Sequence, residues 1–230
     1  RHPLLRRMFG AVYPLKARSP AKRLVVDGLV TPEEAGFYLH EARGSSGEPL
    51  FAADEALLGP KAPELSAALP DWPQTPLNRA IQDRVRREIR QHFGERRRLH
   101  LVGGHLRRAR GVPLGSEEDA NGPSVCHVDK ANISYYDYSA IVYFSTQGVD
   151  FGGGALAFND PGGDQLVQPR LGRCAIFAAG PHHLHQAKVV TWGSRSIMAL
   201  WFSLNCRLAG EAVRMNWPKK KKRARGRATG

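Results

Sequence analysis

Ser124-Val-Cys-His-Val-Asp129 opens a stretch that runs on to Arg195 and decides how the chain folds. The segment reads as a β-strand. On a strand, residues two apart point to the same face, so His127 and Asp129 can reach one metal ion. A third ligand then has to come from a different strand, and His185, heading the run His-Gln-Ala-Lys-Val-Val-Thr (185–191), fits that place. Two imidazoles and one carboxylate leave coordination positions open on Fe(II). A lone His-x-Asp pair is common on protein surfaces, so the reading rests on what surrounds it.

From Leu99 onward the hydrophobic period is that of strands, with candidates at 99–107, 124–129, 138–145, 154–158, 164–168, 173–178, 185–191 and 195–203. Short strands with Gly-rich turns imply a mainly β protein with flanking helices, its core a double-stranded β-helix (jelly roll) of about eight strands. Upstream, Leu24–Asp27 reads as a short strand. Thr31-Pro32-Glu33-Glu34 supplies a cap, a proline at the first helical position and early acids, and so starts a helix to about Ala42. Residues 43–76 read as loop with one short helix. Leu77, Ile81, Val85, Ile89 and Phe93 recur every four residues and mark an amphipathic helix closed by Gly94. Both helices are expected to pack on one sheet.

The net charge of +13 is confined to the ends. Residues 1–23 hold seven Lys or Arg and no acid, and residues 219–230 hold seven more and no acid, which leaves 24–218 close to neutral. The chain therefore divides into a basic arm or linker (1–23), a folded domain (24–218, core 99–206) and a disordered basic tail (219–230). Nucleic acid is not expected as a partner of the core, while the tails suit contact with a membrane surface or a polyanion. Cys126, Cys174 and Cys206 are an odd number without metal-like spacing, which excludes a disulfide scaffold. No apolar run approaches the roughly 20 residues of a membrane span. The chain opens on Arg1 rather than Met, so a processed form is expected and its start says nothing of an upstream signal or anchor.

Arg195 lies in Arg-Ser-Ile-Met-Ala-Leu-Trp-Phe, otherwise apolar, and a buried guanidinium calls for an anion that its planar fork can pair. Tyr143, in Ser-Ala-Ile-Val-Tyr-Phe, could offer its hydroxyl to the same carboxylate. The bland alternatives are an internal ion pair and a packed core tyrosine.

Together, Asp-Tyr-Ser-Ala-Ile-Val-Tyr-Phe (137–144), Val-Asp-Phe-Gly-Gly-Gly (149–154), Pro-Arg-Leu-Gly-Arg (169–173) and His-x7-Gly-x-Arg (185–195) resemble the 2-oxoglutarate- and Fe(II)-dependent oxygenases of the prolyl and lysyl hydroxylase group. Met-Ala-Leu-Trp-Phe-Ser-Leu (198–204) is most similar to the prolyl 3-hydroxylase (leprecan) branch. The resemblance spans about 99–206. It implies His127, Asp129 and His185 as iron ligands, and Arg195 helped by Tyr143 as the partner of the distal carboxylate of 2-oxoglutarate. His182 and His183 are rivals to His185, but only His185 has Gly at +8 and Arg at +10. Gly103-Gly-His-Leu-Arg-Arg departs from the family pattern, where a residue touching the co-substrate is often found. Gly152–Gly154 is expected to let a backbone, such as a peptide substrate, pass close to the site.

The implied activity is a dioxygenase that hydroxylates a prolyl or lysyl residue of a peptide or protein while 2-oxoglutarate is decarboxylated to succinate. It would use Fe(II), 2-oxoglutarate and O2, with ascorbate as reductant. The alternatives are a cupin-type metal-binding jelly roll without oxygenase activity, for which a keto-acid clamp has no purpose, and an oxygenase acting on nucleic acid, whose expected second arginine just after Arg195 is missing. The resemblance leans to the secretory pathway, in the endoplasmic reticulum or Golgi lumen. The lysine-rich tail equally suits a nuclear signal.

Overall fold

The computed structural model describes residues 22–41, 64–67, 75–112, 126–205 and 207. Its elements in chain order are β1 (Arg23–Val26), α1 (Pro32–Gly36) continuing as a π-helical turn over Phe37–Glu41, β2 (Glu64–Ala67), α2 (Pro76–Phe93), β3 (His100–Arg110), α3 (Asp129–Asn132), β4 (Tyr138–Tyr143), β5 (Phe151–Gly153), β6 (Leu156–Asp160), β7 (Gly163–Val167), β8 (Cys174–Ala178), β9 (His185–Ala187) and β10 (Val190–Ser203).

All pairings between these strands are antiparallel. The larger sheet runs β1-β8-β4-β10-β3-β2, with β5 added to the first part of β10; the smaller runs β7-β6-β9. This is the jelly roll expected from the strand periodicity. β10 is its spine: its long run pairs β3 on one side and, further along, β4 on the other.

Both helices start where the sequence caps them. The Thr31 hydroxyl accepts from the Glu34 amide and the Thr31 amide donates to the Glu34 carboxylate, a capping box with Pro32 at the first turn. Thr75 caps α2 with a single bond, its hydroxyl accepting from the Asn78 amide, and Gly94, at φ 68°, ends the helix in the left-handed conformation open to glycine. Ile81, Val85 and Ile89 of α2 are fully buried against Leu106, Val142, Ile176, Met198 and Leu200 of the larger sheet, together with Tyr38 and Ala35 from the first helix. Each such aliphatic side chain contributes on the order of 1.5–3 kcal/mol by leaving water. The Tyr38 hydroxyl donates to Asn78 and ties the helices together. The helices thus close one face of the larger sheet. The other face packs on β6 through Tyr143, Ala175, Phe177 and Ile197 against Leu156 and Phe158.

Several expectations change. Residues 126–129 form no strand: His127 makes an isolated bridge to His185, and Asp129 starts the helical turn α3. Within 43–76, Glu64–Ala67 is a strand on the outer edge of β3 rather than loop, because β3 offers it an unpaired edge. The expected strand 185–191 ends at Ala187, and β10 starts at Val190, five residues early, because β5 gives it a partner there. Arg23 belongs to β1 rather than to the basic arm, held by a bidentate ion pair to Asp160 at 2.5 and 2.6 Å. The rest of the arm (to residue 21) and the tail 219–230 lie outside the described residues. Among the described residues, no helix is long and apolar enough to cross a membrane.

Candidate active site

Strand register places the functional side chains. Across the larger sheet, Ile197 of β10 sits between Arg107 of β3 and Tyr143 of β4. Ala199 sits between His105 and Ile141, and Trp201 between Gly103 and Ser139. Side chains alternate between faces along a strand. Arg195, Ile197, Ala199 and Trp201 therefore share a face with His105, Arg107, Ser139, Ile141 and Tyr143, and all of them line one cavity with His127, Asp129 and His185. Their neighbours in sequence, such as Met198, Leu200 and Val142, go to the helix-side core.

At one end of this cavity His127, Asp129 and His185 converge. Among the described residues theirs is the only cluster of three candidate ligands, with one donor atom from each lying within 4.8 Å of the others. The two histidines exchange backbone hydrogen bonds of 2.9 Å in both directions, and their ring centroids are 4.5 Å apart. Val128 is extended (φ −121°, ψ 125°), and that single residue suffices to turn Asp129 to the side of His127 before the chain coils. Asp129 Oδ1 lies 3.4 Å from His127 Nε2 and Oδ2 lies 3.9 Å from His185 Nε2. His185 Nδ1 is 2.9 Å from the His183 carbonyl. An imidazole that donates from Nδ1 keeps Nε2 as its lone-pair nitrogen, the one turned to the cluster. Burial lowers the His185 pKa and so favours the neutral, metal-binding form. Burial alone would raise the Asp129 carboxyl, but the His127 hydrogen bond, the electrostatic pull of the nearby His185 ring and the Ser139 hydroxyl outweigh it and hold the group at about 2. The rivals are elsewhere: His182 is exposed, and His183 is buried with its ring against Phe158 and Phe177.

At the other end Arg195 is 3% exposed. Its Nη1 donates to the Gly154 carbonyl at 2.8 Å, while its buried Nε has no hydrogen-bond partner among the described residues. Burial lowers its pKa, with Tyr143 opposing the shift, and burial raises that of Tyr143. Arg107, brought down to about 10 by burial and by the Arg195 charge, adds a second guanidinium to the same cavity. The glycines that looked like a cradle for a peptide are filled by the chain itself. A β-carbon on Gly152 would meet the Trp192 ring, one on Gly153 the Val189 carbonyl, and one on Gly154 Phe151 and Arg195 Cδ. Their smallness brings β5 against β10 and the Gly154 carbonyl onto Arg195.

All five residues singled out from the sequence are therefore in one cavity. Ser139, His105 and Arg107 were missed. The alternation His105-Leu-Arg107 on β3 was the signal that could have found two of them; Ser139 had none, since its role depends on where the α3 turn lands. An apolar-walled cavity with a two-histidine, one-carboxylate corner and an incompletely partnered buried arginine has the chemistry to hold a hard-to-soft borderline metal and a carboxylate beside it.

Comparison with known proteins points the same way. Residues 118–203 match the family model of the 2OG-Fe(II) oxygenase superfamily. The human protein named 2-oxoglutarate and iron-dependent oxygenase domain-containing protein 3 is 39% identical over 79 residues, covering 34% of this chain and 25% of that protein. Human prolyl 3-hydroxylase 3 is 28% identical over 212 residues, covering 79% of this chain and 28% of that protein. The chain thus spans roughly a quarter of the length of these relatives. Among solved structures, the viral collagen prolyl hydroxylase of Paramecium bursaria Chlorella virus-1 aligns with a TM-score of 0.52 at 14% identity, over 79% of this chain and 94% of that one. A Pseudomonas putida prolyl-4-hydroxylase aligns with a TM-score of 0.52 at 17% identity, over 80% and 92%. These two likenesses are of fold.

Proposed function

Residues 118–203 being a 2OG-Fe(II) oxygenase superfamily domain, we propose that this chain hydroxylates a prolyl, or else a lysyl, residue of a peptide or protein, with decarboxylation of 2-oxoglutarate to succinate. The observation that carries the proposal is the sharing of one cavity by the His127–Asp129–His185 cluster and the Arg195–Tyr143 pair. His127, Asp129 and His185 would hold Fe(II), which with the keto acid and O2 supplies the oxidising chemistry. The donor set fits that ion, and the unpartnered buried Nε of Arg195 fits the distal carboxylate of the keto acid.

In this reading the chain's own residues bind, orient and shield. Arg195 takes the distal carboxylate and so fixes how far the keto acid reaches toward the cluster. Tyr143, deeply buried and with its hydroxyl kept protonated, donates to the same carboxylate. Ile141, Ile197 and Ala199 give the space between the two ends an apolar wall. Prolyl rather than lysyl hydroxylation is favoured by the relative named prolyl 3-hydroxylase 3. A peptide is favoured over nucleic acid as substrate because residues 24–218 are close to neutral.

The test is turnover of 2-oxoglutarate with proline-rich and lysine-containing peptides in the presence of Fe(II) and ascorbate, read by mass spectrometry of the peptide. A mass gain of one oxygen on proline is expected, and it should vanish in His127→Ala and Asp129→Ala while both variants keep the native circular dichroism. Full activity in either variant refutes the ligand assignment.

A further inference from the structure

Asp129 is the only carboxylate in the cluster, and how many of its oxygens are available to a metal decides how many positions remain for anything else. The Ser139 hydroxyl donates to Asp129 Oδ2 at 2.6 Å, and both side chains are buried, Ser139 to 2% exposure. Oδ1 is the oxygen nearer to His127 Nε2, at 3.4 Å. We propose that Ser139 is a positioning residue that occupies Oδ2 and leaves Asp129 a one-oxygen donor. The inference rests on the function proposed above and deepens it. A six-coordinate ion held by two histidines and one oxygen keeps three positions free. A carboxylate bound through both oxygens leaves two, too few for a chelating keto acid and O2 together.

The surrounding structure is built to hold this contact. Ser139 is the second residue of β4 and pairs in register with Trp201 of β10. Trp201 is itself wedged between Tyr136, stacked at an interplanar angle of 8°, and His105. Its β4 neighbours Ala140 and Val142 anchor the strand in the helix-side core. The Asp129 side is fixed separately. Lys130, next in sequence, donates its backbone N–H to the Ala179 carbonyl at 3.0 Å and its ammonium to Asp137 at 2.7 Å. Asp137 stands just before β4 and also accepts the Leu204 amide at 2.8 Å, while its own backbone bonds to Phe202 and Ala179. The α3 turn is thereby clamped to the head of β4, and Ser139, two residues on from Asp137, comes to lie on the carboxylate. A hydroxyl donated to a buried carboxylate in this frame is a charge-assisted bond, short and directional. Partners of this kind, one step behind the ligands, typically govern metal affinity by 10–100-fold.

The experiment is Mn(II) titration by calorimetry of the intact protein, followed by 2-oxoglutarate titration of the Mn(II)-loaded protein, for wild type, Ser139→Ala, Ser139→Thr and Asp129→Ala. Ser139→Ala should weaken Mn(II) or subsequent 2-oxoglutarate binding by roughly 10–100-fold, with a native circular dichroism spectrum. Ser139→Thr, which keeps the hydroxyl, should recover most of the loss. If Ser139→Ala binds both ligands as wild type does while Asp129→Ala loses Mn(II), the inference about Ser139 fails and the metal site stands. If Thr is as weak as Ala, the hydroxyl is not the cause and the inference fails as well. If wild-type protein binds no Mn(II), the proposed function falls first and takes this inference with it.

Discussion

Replacing Arg195 by Met should have opposite effects on the empty and the ligand-bound protein. In the structure the guanidinium is 3% exposed, burial disfavours its charge, and its Nε has no hydrogen-bond partner among the described residues. Met, of similar length, removes that desolvation penalty but leaves the Gly154 carbonyl without its 2.8 Å donor. An isolated hydrogen bond is worth about 0.5–1.5 kcal/mol and relief of a buried charge offsets it in kind. The melting temperature should therefore move by only a few degrees, at about 2–4 °C per kcal/mol for a chain of this size. With 2-oxoglutarate the balance reverses, because a carboxylate is now left unpaired at the buried position of Arg195. Breaking a buried ion pair costs about 3–5 kcal/mol, or roughly 150- to several-thousand-fold in affinity. Tyr143→Phe, losing one hydrogen bond, should cost no more than about tenfold. Calorimetric titration of 2-oxoglutarate into Mn(II)-loaded protein, paired with thermal melts of the ligand-free protein, reads both. A small affinity loss in Arg195→Met equal to that in Tyr143→Phe would place the keto acid elsewhere. A collapse of the ligand-free fold would mean that Arg195 is structural.

Gly154→Ala should lower the melting temperature and weaken 2-oxoglutarate together. The residue has φ +69°, and a β-carbon there would lie 2.8 Å from Phe151 and 3.3 Å from Arg195 Cδ; the left-handed conformation alone costs an L-residue about 1–2 kcal/mol. A melt and a titration equal to wild type would refute the packing account of the glycine run. Glu95 gives a pH prediction. Arg97 bonds, a backbone amide and the Tyr138 hydroxyl hold its carboxyl at about 2 despite burial, against roughly 4.3 in an unfolded chain. A depressed carboxylate stabilises the fold above its unfolded value and loses that contribution as pH falls toward the folded one. The advantage of wild type over Glu95→Gln should be full at pH 7 and shrink between about pH 5 and pH 2, measured as the difference in denaturation midpoint. A difference that does not change with pH would show that the charge is not what Glu95 contributes.

The sequence by itself determined whatever depends on neighbours along the chain. Period-4 apolar residues from Leu77 to Phe93, the Thr31 capping box and Gly94 specify two helices and their ends because capping and amphipathicity act within one or two turns. Short, largely apolar runs at 138–145, 173–178 and 195–203, set between Gly-rich turns, specify strands of a double sheet. The five candidate site residues were legible as types at spacings. Tertiary structure decided what depends on partners distant in sequence. β2 exists because β3 has a free edge, and β10 starts at Val190 because β5 lies beside it. Residues 126–129 are bent into a bridge and a helical turn because His185, the Ala179 carbonyl and Asp137 claim their backbone and Lys130. The Gly152–Gly154 run is packed under Trp192 and Arg195 rather than open to a peptide. Ser139 reached Asp129 for the same reason. A hydrogen bond across ten residues is set by where two separately anchored segments come to rest, and no local pattern in the chain encodes that distance.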